Sequence, residues 1–198
     1  MRIIGITGGV GSGKSQVLRY LKDTFCASIY EADEIARKLQ APGQICYAKM
    51  VEQFGREILL DGGEVNREKL AAMVFDDAGK LHQLNEIVHP AVKAYVQEQI
   101  AWERNRGTRL FVLEAALLLE DKYDAICDEL WYIYTEESVR RERLKISRGY
   151  PDEKITAIIQ NQAKESVYEQ GCQIRIDNSH DFSQTCAQID GILKAQQF

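Results

Sequence analysis

Gly8-Gly9-Val10-Gly11-Ser12-Gly13-Lys14-Ser15 is the stretch of this sequence that most strongly predicts the fold. It fits the pattern G-x-x-x-x-G-K-[ST], which is typical of a phosphate-binding P-loop. Residues 2–7 before it are apolar and β-branched, which predicts a buried strand. Residues 16–22 after it place apolar side chains on one helical face. Strand, glycine loop and helix form the context that a P-loop requires, and a glycine-rich turn without a ligand is the alternative.

Each residue type in this loop suits the binding of a nucleoside triphosphate. Glycines permit backbone angles that other residues avoid, so their N–H groups can approach an anion closely. Lys14 supplies a positive charge for the β- and γ-phosphates, and Ser15 offers a hydroxyl to Mg²⁺, which prefers oxygen ligands. We therefore predict ATP and Mg²⁺ as the cofactors. The predicted ATP-binding residues of the loop are Gly9, Gly11, Ser12, Gly13, Lys14, Ser15 and Gln16.

The composition is that of a compact globular domain. The chain has 198 residues, of which 45% are hydrophobic, enough for a sizeable core. A net charge of −5 argues against generic nucleic-acid binding, and no apolar run approaches the roughly 18 residues of a membrane span. The five cysteines are scattered and form no C-x-x-C pair, which suits a reducing compartment. We expect a cytoplasmic monomer or weak homo-oligomer, without a signal peptide, that binds neither membranes nor nucleic acid.

Strand-like and helix-like segments alternate along much of the chain. The segments with the apolar pattern of strands are residues 2–7, 26–31, 109–114, 129–135 and 173–177. Strands that alternate with helices form a parallel sheet with helices on both faces. The predicted fold class is therefore α/β, a P-loop NTPase core of three α/β/α layers with a parallel five-stranded sheet. Ligands of such folds bind at the carboxyl ends of the strands.

A mostly helical segment, residues 34–107, separates the second and third predicted strands. Asn66 is a candidate N-cap for the helix that follows it. A further helix is predicted over residues 78–88, and Pro90 is predicted to start a separate long helix. We therefore predict a helical insert of residues 34–107 between two parts of one α/β core.

Two carboxylates follow predicted strands and are candidates for chemistry. Asp33 comes after the second strand, where it could act as the general base or positioner for a hydroxyl that attacks the γ-phosphate. The alternative is an N-cap for the helix Glu34–Leu39, and the two roles are compatible. Glu114 ends the third strand and could hold Mg²⁺ or its water ligands. Its alternative is an exposed charge at a strand end.

A basic helix is predicted after the fourth strand. Its five cations within nine residues are Arg140, Arg141, Arg143, Lys145 and Arg148. Arg140 and Arg143 share one helical face, and they are candidates for a mobile lid that brings positive charge to the triphosphate. The alternative is a solvated face whose cations pair with neighbouring glutamates.

His89 precedes Pro90 at the predicted start of the long helix. It could contact a substrate phosphate. The alternative is a helix cap or a packing residue, and the residue alone favours that alternative.

With these motifs in place, the sequence resembles the dephospho-coenzyme A kinase family over nearly the whole chain. The order and spacing of the motifs are far more specific than the P-loop alone. The matching segments are residues 6–15, 31–36, 54–55, 58–59, 66–67, 74–75, 87–90, 117–120, 143–144, 162 and 176–179.

The resemblance implies one P-loop kinase domain, residues 1–198, with a core of 1–33 and 108–198. It also implies a helical substrate-binding insert of 34–107 after the second strand, and a lid of about 136–165. It implies transfer of a phosphoryl group from ATP to the ribose 3′-hydroxyl of dephospho-coenzyme A. Asp33 then corresponds to the proposed base, and His89 gains a role on the substrate side. Asn178 lies where the late strand-end motif of the family approaches the ATP adenine.

Several positions depart from the usual pattern of the family. Glu31 stands where Asp is usual, Gln16 replaces a common Thr, and residues 114–116 replace Asp-x-Pro. Ser147 occupies the position of a second lid arginine. We hypothesise that Arg148 substitutes for it, because Gly149-Tyr150-Pro151 should end the helix there. Arg143 and Arg140 alone are the alternative. Glu165 and Tyr168 also occupy positions that Arg often takes.

The sequence thus predicts an ATP- and Mg²⁺-dependent kinase of dephospho-coenzyme A. Lys14, Asp33 and Arg143 are the predicted catalytic residues, with Arg140 or Arg148 as a further cation for ATP. Asp33, His89 and Glu114 are the predicted substrate-binding residues, and Ser15 the metal ligand, with Glu114 acting through water. The alternatives are a kinase of another nucleoside or nucleotide, and a nucleotide-binding regulator without turnover.

Overall fold

The computed structural model describes residues 1–75 and 77–196. The chain divides into two compact units, Met1–Ile29 with Glu103–Phe198, and Tyr30–Trp102. The strands are β1 (Arg2–Thr7), β2 (Ser28–Glu31), β3 (Leu110–Glu114), β4 (Glu129–Tyr134) and β5 (Ile174–Asp177). The helices of the described residues are α1 (Lys14–Phe25), α2 (Ala32–Leu39), α3 (Ile45–Phe54), α4 (Arg67–Phe75), α5 (Ala78–Asn105), α6 (Glu137–Arg148), α7 (Asp152–Gln160), α8 (Glu165–Gly171) and α9 (Phe182–Ala195), with short 3₁₀ turns at Arg56–Ile58 and Tyr123–Ala125.

The strands form one parallel sheet in the order β2-β3-β1-β4-β5. This confirms the predicted α/β class and the five-stranded sheet. The register pairs Ile6 with Glu114 and Tyr134 with Asp177, so neighbouring strands end close to one another. The residues that follow β1, β3, β4 and β5 therefore gather at one edge of the sheet, where ligands of such folds bind.

The core of the first unit forms because the central strands are apolar on both faces and helices cover them. In β3, residues 110–113 are fully buried, as are Trp131 and Ile133 of β4. From the helices, the buried residues that join this core are Val17, Leu18 and Leu21 of α1, and Ile189 and Leu193 of α9. Burial of this apolar face holds α1, and so the loop before it, against the sheet.

The second unit is built from helices, and two predictions about it can be checked directly. The Asn66 cap is confirmed, since its Oδ1 accepts a hydrogen bond of 3.0 Å from the Lys69 N–H. The predicted break at Pro90 is wrong, because α5 runs through Pro90 without interruption. Val88, Val92 and Val96 recur at helical spacing and are 6%, 4% and 0% exposed. Burial of this apolar stripe offsets the cost of a proline inside a helix, about 3 kcal/mol.

No helix of residues 1–75 and 77–196 combines the length and the apolar character needed to cross a membrane.

Candidate functional site

The glycine loop lies between the end of β1 and the start of α1, the context predicted for a P-loop. Gly13 caps α1 with φ 85° and ψ 19°, a left-handed conformation that glycine adopts without strain. A Cβ at this position would also collide with the amide nitrogen of Asn178. At Gly9 a Cβ would collide with the guanidinium of Arg140. Gly13 is therefore favoured by its backbone geometry and by the close approach of Asn178, whereas Gly9 is favoured by the close approach of Arg140.

Lys14 is held across the loop that precedes it. Its Nζ donates to the carbonyl of Gly8 at 2.7 Å and lies 3.6 Å from Oε1 of Glu114. The two side chains are 16% and 12% exposed. The alternative of an exposed strand-end charge for Glu114 is therefore wrong, because this carboxylate is mostly buried and forms an ion pair with the loop lysine.

Two arginines of α6 reach the loop. Arg140 donates from Nε to the carbonyl of Val10 at 3.0 Å and from Nη2 to the side-chain oxygen of Gln162 at 2.5 Å. Arg143 donates from Nη2 to the carbonyl of Asn178 at 2.8 Å. The predicted common face of Arg140 and Arg143 thus faces the loop. This brings two permanent positive charges next to the place where phosphates bind in such loops.

The other cations of α6 lie elsewhere. Arg141 donates to Glu137 at 2.8 Å, and Lys145 forms an ion pair of 2.8 Å with Asp152. Arg148 is exposed, and its guanidinium lies over the ring of Tyr150, 5.8 Å from the centroid. The predicted end of the helix after Arg148 is confirmed by the left-handed cap at Gly149. The basic run therefore divides into a loop-facing pair and an outer set.

Asn178 directly follows β5 and lies beneath the glycine loop. Its side chain is fully buried, its Nδ2 donates to the carbonyl of Ser12 at 2.7 Å, and its Oδ1 accepts from Thr185 at 2.8 Å. Both ends of its side-chain amide are therefore hydrogen-bonded to other residues beneath the loop, and its approach to the ATP adenine stays a prediction. Ser12 is also buried, at 1% exposure.

Ser15 and Gln16 lie in the first turn of α1, and both are exposed. The predicted metal ligand is therefore a hydroxyl that a nucleotide-bound cation can reach. Among residues 1–75 and 77–196, no group of three or more His, Cys, Asp or Glu side chains is arranged to hold a metal ion.

Asp33 belongs to the second unit, where it is exposed in the first turn of α2. The alternative that Asp33 caps this helix is wrong, because Glu31 occupies the N-cap position and Asp33 lies inside the helix. Burial raises the pKa of Glu31, and the negative charges of Glu34 and Asp33 raise it further. The first turn of α2 thus concentrates carboxylates. Their negative charges interact favourably with the positive end of the helix dipole.

His89 also belongs to the second unit and is half-buried within α5. Its predicted place at a helix start, and with it the alternative of a helix cap, is wrong because α5 begins eleven residues earlier, at Ala78. The packing role and the substrate-side role are unaffected by this correction.

Thr135 and Thr185 are site residues that the sequence did not single out. Thr135 donates to the Ser12 carbonyl at 3.0 Å, and the hydroxyl of Thr185 donates to Oδ1 of Asn178 at 2.8 Å. Thr135 follows β4 directly, as Asp33 and Glu114 follow or end other strands. The same search for polar residues at strand ends would have found Thr135. Thr185 lies inside α9, and its sequence context carries no such signal.

A glycine loop between β1 and α1, a lysine across it, and two arginines from a later helix define a P-loop kinase of the α/β class. A family model described as dephospho-CoA kinase matches residues 2–184. The chain belongs to the dephospho-CoA kinase family, and it is an ATP-dependent kinase.

Individual relatives agree with this assignment. The dephospho-CoA kinase of Carboxydothermus hydrogenoformans is 36% identical over 97% of this chain and 93% of its own length. That of Symbiobacterium thermophilum is 33% identical over 98% of this chain and 81% of its own length. The solved structure of the dephospho-CoA kinase from Campylobacter jejuni matches both chains over 100% of their length, with a TM-score of 0.72 and 21% identity, which shows the shared fold.

Proposed function

We propose that this chain transfers the γ-phosphoryl group of ATP to the ribose 3′-hydroxyl of dephospho-coenzyme A, giving coenzyme A. The observation that carries the proposal is the convergence of Lys14, Arg140 and Arg143 on one glycine loop in a chain of this family. Phosphoryl transfer needs little covalent help from a protein. It needs positioning and positive charge around the transferred group, which this arrangement supplies.

The phosphates of ATP are proposed to lie in the loop. Backbone N–H groups of the loop and the positive end of α1 bind them, and the ammonium group of Lys14 contacts the β- and γ-phosphates. In the structure Lys14 already lies over the loop, bound to the Gly8 carbonyl. Arg143 and Arg140 neutralise the charge of the transferred group, and their planar guanidinium groups suit phosphate oxygens. Helices α6 and α7 then correspond to the lid of about residues 136–165.

Mg²⁺ fits the donors near the loop. The exposed hydroxyl of Ser15 is an oxygen ligand of the kind that this ion prefers, and Mg²⁺ usually enters such sites with the nucleotide and several waters. When bound, it would offset negative charge on the nucleotide phosphates. Glu114 is proposed to act on the ion through water, and on the position of Lys14 through their ion pair.

The acceptor side of the reaction is proposed to use the helical insert, residues 34–107. Asp33 orients and deprotonates the 3′-hydroxyl, and His89 contacts a phosphate of the substrate. We further propose that the protein is cytoplasmic, is a monomer or weak homo-oligomer, and binds no nucleic acid, in keeping with its net charge of −5.

Turnover measurements on lid variants will identify the arginines that act. Arg143→Ala and Arg140→Ala are each expected to lower turnover at saturating ATP by on the order of 10²-fold, because each removes a cation that contacts the loop. Arg148→Ala is expected to stay close to wild type, because Arg148 lies over Tyr150 in the structure. Equal losses in Arg143→Ala and Arg148→Ala would instead support the hypothesis that Arg148 replaces the arginine absent at Ser147.

An acceptor assay tests the function itself. ADP release is measured with dephospho-coenzyme A, with nucleosides, and without any acceptor, and the product is analysed for a new 3′-phosphate. We expect rapid ADP release only with dephospho-coenzyme A. Turnover that favours a nucleoside would indicate a kinase of a different acceptor, and ATP binding without turnover would indicate a regulator.

A further inference from the structure

One carbonyl of the glycine loop is held by an unusual number of side chains. The oxygen of Ser12 accepts hydrogen bonds from Asn178 at 2.7 Å, Thr135 at 3.0 Å and Arg143 at 3.5 Å. These donors come from three places in the fold, the ends of β5 and β4 and the helix α6. The side chains of Asn178 and Thr135 are 0% and 3% exposed, so the bonds form in a dry environment, where they are strong.

The polarity of these groups determines how the asparagine amide is oriented. A carbonyl oxygen can only accept, so the Asn178 NH₂ group must face Ser12 and its own oxygen must face the other way. That oxygen then accepts from the hydroxyl of Thr185, which is itself fully buried. The hydroxyl of Thr135 has a single hydrogen and also lies 2.7 Å from the carbonyl of Tyr134. Asn178, oriented by Thr185, is therefore the principal donor to Ser12.

Holding this carbonyl has a consequence on the opposite side of the same peptide group. The Ser12–Gly13 peptide bond is trans, so the Gly13 N–H points away from the Ser12 oxygen. Asn178 and Thr135 draw the oxygen towards the core. The Gly13 N–H is thereby turned away from the core residues, to the side of the loop where backbone amides of P-loops bind phosphate.

We propose that Asn178 and Thr185 are positioning residues for phosphate binding. They lock the Ser12–Gly13 peptide so that the Gly13 amide is aimed at the phosphates before ATP arrives. This inference rests on the proposed use of ATP, but it assigns to Asn178 a role different from contact with the adenine. A peptide that could rotate freely would present a carbonyl to the anion part of the time, which weakens binding and misplaces the γ-phosphate.

The test compares ligands that do and do not carry phosphate, using titration calorimetry on the full chain with ADP, inorganic triphosphate and adenosine. Asn178→Asp is nearly isosteric but places a carboxylate oxygen against the Ser12 carbonyl. We expect it to weaken ADP and triphosphate binding at least tenfold and to leave adenosine binding unchanged. The KM for ATP should rise by a similar factor, while the KM for dephospho-coenzyme A stays constant.

A second pair of variants tests the relay through Thr185 and covers the case in which Asn178→Asp does not fold. Thr185→Val removes the hydroxyl that orients Asn178, and Thr185→Ser keeps it. We expect a three- to tenfold loss of ADP affinity in Thr185→Val and recovery in Thr185→Ser. The matched control is Thr108→Val. It removes a hydroxyl that donates to Glu103, just before β3 and at the end of the sheet opposite to the glycine loop.

The outcomes separate the inference from the function on which it rests. A wild-type chain that binds neither ADP nor triphosphate would overturn the proposed function, and this inference with it. If wild type binds ADP, unchanged ADP affinity in Thr185→Val overturns the positioning role alone. Equal weakening of ADP and adenosine also overturns it, because that result indicates contact with the nucleoside or general loss of structure.

Discussion

Lys14→Ala is expected to reduce phosphoryl transfer by on the order of 10²–10³-fold, the usual effect of removing a preorganised group that stabilises transition-state charge. Backbone amides of the loop still bind phosphate in the variant. Within residues 8–15 Lys14 is the side chain that brings a full positive charge to the γ-phosphate, so the loss should fall mainly on kcat. Turnover with dephospho-coenzyme A at saturating ATP measures it.

The fold is expected to survive this substitution. The Lys14 side chain joins the loop through the Gly8 carbonyl and pairs with Glu114, but it takes no part in the apolar core. The melting temperature should therefore change little. Lys22→Ala is the matched control, because it removes the same charge from an exposed position of the same helix. Near-wild-type turnover in Lys14→Ala would show that the loop does not bind ATP as proposed.

Much of the first unit could be predicted because its sequence signals are local. The glycine loop requires a strand before it and a helix after it, and the apolar run of residues 110–113 is too short and too hydrophobic for a surface helix. The strand ends were less accurate. The second strand begins at Ser28 and not at Cys26, because Cys26 ends α1 in a left-handed conformation.

The predicted break at Pro90 is wrong because tertiary packing outweighs the local preference of proline for the first turn of a helix. Proline removes one N–H group from a helix and is usually found at its first turn. In α5 the valines on both sides of Pro90 lie on one buried stripe, and a continuous helix keeps all of them in the core of the second unit. Local sequence rules cannot weigh that burial against the proline penalty.

The site was only partly predictable, for a related reason. Lys14, Arg140 and Arg143 could be recognised because a charge in a motif or on a helix face suggests a phosphate partner. The support of the Ser12 carbonyl could not be predicted, because the donors Thr135 and Asn178 are neutral and lie 123 and 166 residues from Ser12 in sequence. They meet only because β4 and β5 are paired in a register that places Tyr134 opposite Asp177.

Asp33→Asn is expected to produce the other large effect, a loss of roughly 10²–10⁴-fold in turnover, the range typical of general-base catalysis. An amide cannot accept the proton of the attacking hydroxyl, although it has nearly the same shape. ATP binding should remain, because the proposed ATP site lies in the loop and not at Asp33. Binding of ADP and turnover with dephospho-coenzyme A are the two measurements.

If Asp33 has only a structural role, the expected effect of Asp33→Asn is different and much smaller. Since Glu31 is the N-cap of α2, Asp33 can stabilise this helix only through the charge that it places in the first turn. Such a charge contributes about 0.3–1 kcal/mol to stability. Glu34→Gln removes an equal charge from the same exposed turn and is the matched control. If Asp33→Asn and Glu34→Gln lose the same small stability and both remain active, Asp33 serves the helix. If only Asp33→Asn loses turnover while both keep their fold, the carboxylate serves the hydroxyl.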